Sequence, residues 1–236
     1  MSAEPGTTSG DVGPPDESDV LVADGLSLSF GGVQALNSVS LRIPPRTSVG
    51  ILGPNGAGKT SLLNCLNGFY RAQTGRISYA GRDLSRMAPH KIAGLGIART
   101  FQGTELVPGT TVLQSLLVGR HNHMRGGVLS GMIYWGRALA EEVREREAVE
   151  RVIEFLEIER LRDREVSALS AGQQRLVGLG RALAAEPKIL LLDEPSAGMN
   201  REERNDVARF MQRIRHETQT SQVLIEHDVR FVRDLC

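Results

Sequence analysis

The chain has 236 residues, enough for one substantial core, and its 28 basic residues balance its 28 acidic ones. Bulk charge therefore gives no reason to expect a nucleic-acid partner. The two cysteines, Cys65 and Cys236, have neither metal-ligand spacing nor the density of a disulfide framework, and Cys65 reads as a small buried thiol in a reducing, cytosolic setting. No apolar run reaches the roughly 18 residues of a membrane span, and the start lacks a basic-then-apolar signal, so a membrane is expected to be reached only through a partner.

Residues 1–19 hold Gly, Pro, Ser, Thr and acids with almost nothing apolar. Such a segment cannot bury enough surface to offset its ordering entropy, and it reads as a disordered tail. Order is expected from Val20 onward, over residues 20–236. Leu26, Leu28 and Phe30 alternate as in a half-buried strand closed by Gly31-Gly32. Val39, Leu41 and Ile43 repeat the pattern up to Pro44-Pro45. Val49-Gly50-Ile51-Leu52 is a short apolar run with strand character, and Leu62, Leu63, Leu66 and Phe69 recur at helical spacing.

Between those two segments stands Gly53-Pro54-Asn55-Gly56-Ala57-Gly58-Lys59-Thr60-Ser61, which fits the phosphate-loop pattern G-x-x-x-x-G-K-[ST] at every fixed position. A strand feeding a glycine-rich turn into a helix aims successive backbone N–H groups into one concavity, where a polyphosphate can sit. The three glycines are expected to permit that path because positive φ costs them little. Lys59 would reach the β- and γ-phosphates, and the Thr60 hydroxyl would bind Mg²⁺. These residues assign nucleoside-triphosphate binding.

Ile77 and Tyr79 mark a further strand between Gly75 and Gly81. From about 103 to 168 the pattern turns helical, and Leu106, Val107 and Pro108 read as loop residues with no core role. Gly126, Gly127 and Gly131 suggest a loop before a long helix. Val149, Val152, Ile153 and Leu156 give that helix one apolar face, with the charged stretch from Glu141 to Glu150 as its solvated side. A helical block of this size between strands is expected to be a subdomain inserted into an α/β core. Leu176, Leu179 and Leu183 mark another helix. Ile189-Leu190-Leu191-Leu192 is a continuous apolar run, as a parallel strand covered on both faces requires. A helix over about 202–215 and a strand at Val223-Leu224-Ile225 follow. The expected fold class is α/β, a P-loop NTPase core with an N-terminal antiparallel β part.

The apolar run ends in Asp193-Glu194-Pro195. Acids at the carboxyl end of a central parallel strand lie where α/β sheets bind ligands. Asp193 is expected to hold Mg²⁺ beside Thr60, directly or through water, and Glu194 to orient and polarise the attacking water.

Leu169-Ser170-Ala171-Gly172-Gln173, upstream of Asp193, resembles the signature motif of ATP-binding cassette (ABC) ATPases. Arg99-Thr100-Phe101-Gln102 resembles that family's Q-loop, Glu226-His227-Asp228 its switch histidine, and Phe30 the aromatic that stacks on adenine. The resemblance covers about Val20 to Cys236. It implies that Gln102 meets metal or water and senses the γ-phosphate, and that His227 acts beside the same phosphate. It also implies that Ser170, Ala171, Gly172 and Gln173 hold the γ-phosphate of ATP bound to a second subunit. That role suits residues preceding a helix, where free N–H groups and the positive dipole end favour an anion.

Further stretches look like the ATPases of branched-chain amino-acid importers. They are residues 31–36, 65–70, 99–102, 172–175 and 224–228, with the inserted Gly127-Val128-Leu129-Ser130-Gly131. The resemblance then implies ATP and Mg²⁺ as cofactors and hydrolysis in a dimer with a second copy or a related ATPase. Its partners would be membrane permease subunits and, indirectly, a solute-binding protein, with the chain held at the cytoplasmic face. Urea and lipopolysaccharide transport ATPases look similar. Soluble cassette proteins acting on DNA or ribosomes usually carry a second cassette, long insertions or basic patches, and none stands out here. Three departures from the family pattern are visible: Ala171 for the commoner Gly, Asn200 where Asp is usual, and an end at Cys236 soon after His227. The last predicts that Val223–Ile225 is left with an unprotected neighbour at an uncovered sheet edge.

Overall fold

The N-terminal alternation forms a hairpin. In the computed structural model, which describes residues 19–100, 106–122 and 135–236, β1 (Leu21–Phe30) and β2 (Val33–Ile43) pair antiparallel across Gly31-Gly32. β4 (Thr74–Tyr79) and β5 (Arg82–Asp83) extend them into a sheet of order β2-β1-β4-β5. A second sheet is parallel and runs β3 (Ser48–Ile51), β8 (Ser221–Ile225), β7 (Ile189–Asp193), β6 (Ile97–Thr100).

Successive side chains of a strand point to opposite faces, so the parallel strands feed two cores. Ile189, Leu191, Val223 and Ile225 join the antiparallel sheet, α1 (Lys59–Leu66) and α2 (Pro89–Ala93) in one. Leu190, Leu192 and Leu224 join the helices on the other side. Every residue of β7 and β8 is buried, which is why neither strand alternates in polarity. Cys65 is buried in the first core, as expected, and burial pushes its thiol up to about 11.

The helical part comprises α3 (Val112–Gly119), α4 (Trp135–Phe155) and α5 (Ala171–Ala184). Val149, Ile153 and Leu156 pack with Leu116 and Val177, so the predicted apolar face is real. Helices α3 and α5 approach closely at Gly119, where a Cβ would lie 2.1 Å from the Arg181 carbonyl oxygen. α6 (Arg201–Glu217) and α7 (Val229–Leu235) cover the same face of the parallel sheet. Among the described residues no helix is long and apolar enough to cross a membrane.

Several expectations need correction. The stretch from Glu141 to Glu150 is not all solvated. Glu145 is 8% exposed and pairs with Arg120, whose guanidinium also reaches the Ala184 carbonyl and Glu186, both at 2.8 Å. Glu150 accepts from Arg162 at 2.9 Å. Leu106 is buried in the helical core rather than idle in a loop, while Val107 is exposed. Val223–Ile225 lies between β3 and β7, and the uncovered edge beside it is β3, which pairs with β8 alone among the described strands. Strand β6 was not foreseen; its four residues include Arg99 and Thr100, which carry no apolar pattern. The tail over 1–18 and the loop glycines Gly126, Gly127 and Gly131 lie outside the described residues.

Arg120, at the end of α3, ties the middle of α4 to the end of α5. Arg120→Ala would leave the Glu145 carboxylate buried without its counter-charge, and unfolding free energy should fall by about 3 kcal/mol. Urea denaturation measures this; a loss below about 1 kcal/mol would contradict the assignment.

Candidate active site

Strand β3 ends beside β8, with Ile51 opposite Ile225, so the phosphate loop starts where β8 and β7 also end. Gly56 and Gly58 carry φ of +78° and +83°, whereas Gly53 is not left-handed; two of the three glycines are needed for backbone sign. Gly58 has a second reason. A Cβ there would lie 2.1 Å from the Ala35 carbonyl oxygen of β2, so only glycine lets the loop tuck against that strand. Gly58 is the N-cap of α1, and the first N–H groups of the helix face outward without intrahelical acceptors. The Lys59 ammonium donates to the Gly53 and Pro54 carbonyls at 2.7 and 2.9 Å and retains a third donor for an anion.

Asp193, at the end of β7, is nearly inaccessible. Its Oδ2 accepts from Arg99 at 2.8 Å, and its Oδ1 lies 3.5 Å from the Thr60 hydroxyl. A hydroxyl and one carboxylate oxygen facing each other suit Mg²⁺, a hard cation that takes oxygen ligands and keeps positions for phosphate and water. Among the described residues no group of three His, Cys, Asp or Glu side chains could hold a metal by itself.

Glu194 follows in a left-handed turn, φ +50°, anchored by its N–H to the Ile225 carbonyl at 3.0 Å. Its Oε1 lies 2.7 Å from His227 Nε2, and both side chains remain partly open to solvent. The two were foreseen separately; the fold makes them a pair. Glu226 was missed. It is buried, and its carboxylate accepts from the Ser196 N–H at 2.9 Å and the His227 N–H at 3.2 Å, tying the turn after β7 to the turn after β8. Its signal was an acid directly after three buried aliphatics. Asp228 caps α7, and the N–H groups of Phe231 and Arg230 hold its carboxyl below the usual range.

Phe30, 47% exposed at the end of β1, meets Tyr70 edge-on with centroids 5.1 Å apart. Tyr70 was missed as a partner; an aromatic just past the Gly68 turn was its only trace. Ser170 caps α5, accepting from the Gln173 N–H at 3.2 Å while the Gln173 side chain accepts from the Ser170 N–H at 3.1 Å. The N–H groups of Ala171 and Gly172 are left at the helix start. Ala171 is not left-handed, so its replacement of glycine costs no strain there. A Cβ at Gly172 would lie 2.4 Å from Glu203 Oε1, so a side chain there would have to displace the Glu203 carboxylate. Asn200 caps α6 as Asp would, accepting from Glu203 at 3.0 Å. Among the described residues no hydrogen bond joins Ser170–Gln173 to the phosphate loop. Gln102 lies outside the described residues.

Open N–H groups at a glycine-led helix start, an ammonium above them and an acid beside the helix hydroxyl answer the charge and shape of a polyphosphate. The fold and this site together define a P-loop nucleoside triphosphatase. Residues 36–197 match the family described as ABC transporter. A high-affinity branched-chain amino acid transport ATP-binding protein of Pseudomonas aeruginosa, BraF, is 37% identical over 92% of this chain and 85% of its own. LivG of Salmonella typhimurium, also named as a high-affinity branched-chain amino acid transport ATP-binding protein, is 38% identical over 90% and 84%. A solved ATP-binding cassette of an ABC transporter in its ADP conformation superposes with a TM-score of 0.77, at 30% identity over 92% of this chain and 85% of that one. The chain belongs to the ABC transporter family, and it is an ATPase of that family.

Gly58→Ala places a methyl group against the Ala35 carbonyl and forces a left-handed alanine. Strain of about 1–3 kcal/mol should lower the melting temperature and weaken ATP binding by roughly tenfold or more. Fluorescent-nucleotide titration checks it, and unchanged affinity would refute the tight loop-to-strand packing.

Proposed function

We propose that the chain is the ATP-binding and ATP-hydrolysing subunit of an importer for branched-chain amino acids, working on Mg-ATP as one half of a dimer. The Glu194–His227 pair carries the hydrolytic reading: at 2.7 Å it sets a carboxylate, partly open to solvent, at the strand ends beside Asp193, Thr60 and the phosphate loop. The residues from Gly53 to Ser61 cradle the phosphates, and Phe30, with Tyr70 at its edge, offers the adenine a stacking face. Thr60 and Asp193 hold Mg²⁺, with Gln102 as its further contact. The bound metal supplies charge neutralisation at the phosphate oxygens. Glu194 accepts a hydrogen bond from water and polarises it toward the γ-phosphorus. His227 keeps the Glu194 carboxylate aimed and lies next to the phosphate being cleaved. The N–H groups at Ala171 and Gly172, capped by Ser170 and Gln173, face outward for the γ-phosphate bound by a second copy or a related ATPase. The solute follows from the names of the relatives described above.

A groove between α2, β6, α3 and α5 has a volume of about 410 Å³ and is lined by Phe69, Pro89, Ala93, Ile97, Val118 and Ala182, among others. Phe69 and Val118 are 56% and 57% exposed. An apolar groove of this size suits an amphipathic cytoplasmic helix of a membrane permease, which would hold the chain at the cytoplasmic face. Leu106, close after the Q-loop stretch, is used in the core and does not belong to that surface. Solute choice rests with the permease and its solute-binding protein. Uptake of leucine, isoleucine and valine by the reconstituted complex, with urea as the comparison, tests that part; uptake of urea alone would overturn it.

Glu194→Gln keeps size and hydrogen bonding but removes charge. Hydrolysis should fall by roughly two to four orders of magnitude while ATP affinity holds, and the stalled protein should run as an ATP-bound dimer on gel filtration. Lys59→Ala should lose nucleotide binding and stay monomeric. A Glu194→Gln enzyme hydrolysing at the wild-type rate would refute the catalytic assignment.

Phe69→Glu and Val118→Glu charge the groove without touching the phosphate site. The isolated cassette should keep its basal ATPase rate, while permease capture and coupled transport are lost. Normal transport by both variants would move the docking surface elsewhere.

A further inference from the structure

The two oxygens of Asp193 have different neighbours. Oδ1 faces the Thr60 hydroxyl at 3.5 Å, and Oδ2 accepts from Arg99 Nη2 at 2.8 Å. The side chains of Arg99 and Asp193 are 7% and 0% exposed, so protein groups rather than bulk water orient the carboxylate. The other arm of the guanidinium, Nη1, donates to Asn64 Oδ1. Asn64 lies one helical turn beyond Thr60 on α1, hence on the same face. Pairing of β6 with β7, Arg99 opposite Leu191, sets the guanidinium at the height of Asp193.

We infer that Arg99 is a positioning residue: by gripping Asp193 Oδ2 and Asn64 at once, it fixes the separation of Asp193 Oδ1 from the Thr60 hydroxyl. It rests on the reading of Thr60 and Asp193 as the pair that holds Mg²⁺. The grip needs a planar fork, because two donors must meet acceptors on different elements within one rigid plane. A lysine carries the same charge without that plane. Charge and geometry predict opposite signs. If Arg99 acted only as a cation, it would repel the metal, and its removal would tighten metal binding. Acting as a clamp, its loss frees the carboxylate to turn and weakens metal binding, as losing an outer partner of a metal ligand usually does. Near-complete burial of the ion pair and the second anchor on α1 favour the clamp. Arg99 also lines the groove assigned above to the permease, three residues before Gln102. One residue thus borders the groove and touches the metal-holding carboxylate.

The test uses the isolated cassette loaded with a non-hydrolysable ATP analogue, with Mn²⁺ as probe read by electron paramagnetic resonance. Arg99→Gln should weaken Mn²⁺ binding to the complex by roughly 10–100-fold, while analogue affinity in EDTA stays within about twofold of wild type. Arg99→Lys, which keeps the buried charge, and Asn64→Leu, which removes only the second anchor, should each weaken Mn²⁺ several-fold. These two decide the matter if Arg99→Gln does not fold. Unchanged or tighter Mn²⁺ binding in both would overturn the clamp, as would an equal fall in metal-free analogue affinity. Asp193→Asn serves as the separate control. If it leaves Mn²⁺ affinity intact, the metal pair itself is wrong and the clamp falls with it.

Discussion

The functional groups hang from the carboxyl ends of three adjacent strands, and the pairing of β8 between β3 and β7 is what brings those ends together. Residues far apart in sequence thereby share one edge: the phosphate loop after β3, the two acids at the end of β7 and the Glu226-His227 turn after β8. A parallel sheet reaches this order only by crossovers, so each strand must be covered on both faces. The two cores are the consequence. One is closed by the antiparallel sheet and α1, the other by the helices.

Each of the three buried carboxylates among the described residues has a partner. Asp193 is held by Arg99, Glu145 by Arg120, and Glu226 by two backbone N–H groups. Desolvating such groups is expensive unless each is paired or hydrogen-bonded. These three contacts join separate elements, so their geometry fixes relative positions as well as offsetting desolvation. Glu194 and His227, which must meet water and phosphate, are left partly open instead.

The same local device starts three helices. Thr111 with Gln114, Ser170 with Gln173 and Asn200 with Glu203 each form a reciprocal capping box. At α5 the box fixes the helix start and leaves neighbouring N–H groups outward, which is what a phosphate from another subunit would require. Glu203 caps α6 and its carboxylate also lies against Gly172 at the start of α5.

By itself the sequence determined the elements whose chemistry is local. The glycine-lysine-threonine loop, the buried aliphatic strand ending in two acids, the capped signature helix and the apolar face of α4 are written in short windows, because strand, helix and turn preferences act over a few residues. Only the tertiary structure decided which windows meet. Asn64 carries no pattern of its own and Arg99 only its place before Gln102, yet β6–β7 pairing and the face of α1 set Arg99 between Asn64 and Asp193. Glu145 reads as one solvated charge among many until Arg120 is folded against it. Nothing in Val223–Ile225 says that β3 and β7 pair on its two sides. Such contacts join residues tens to more than a hundred positions apart, and no periodicity along the chain encodes a distance across a sheet.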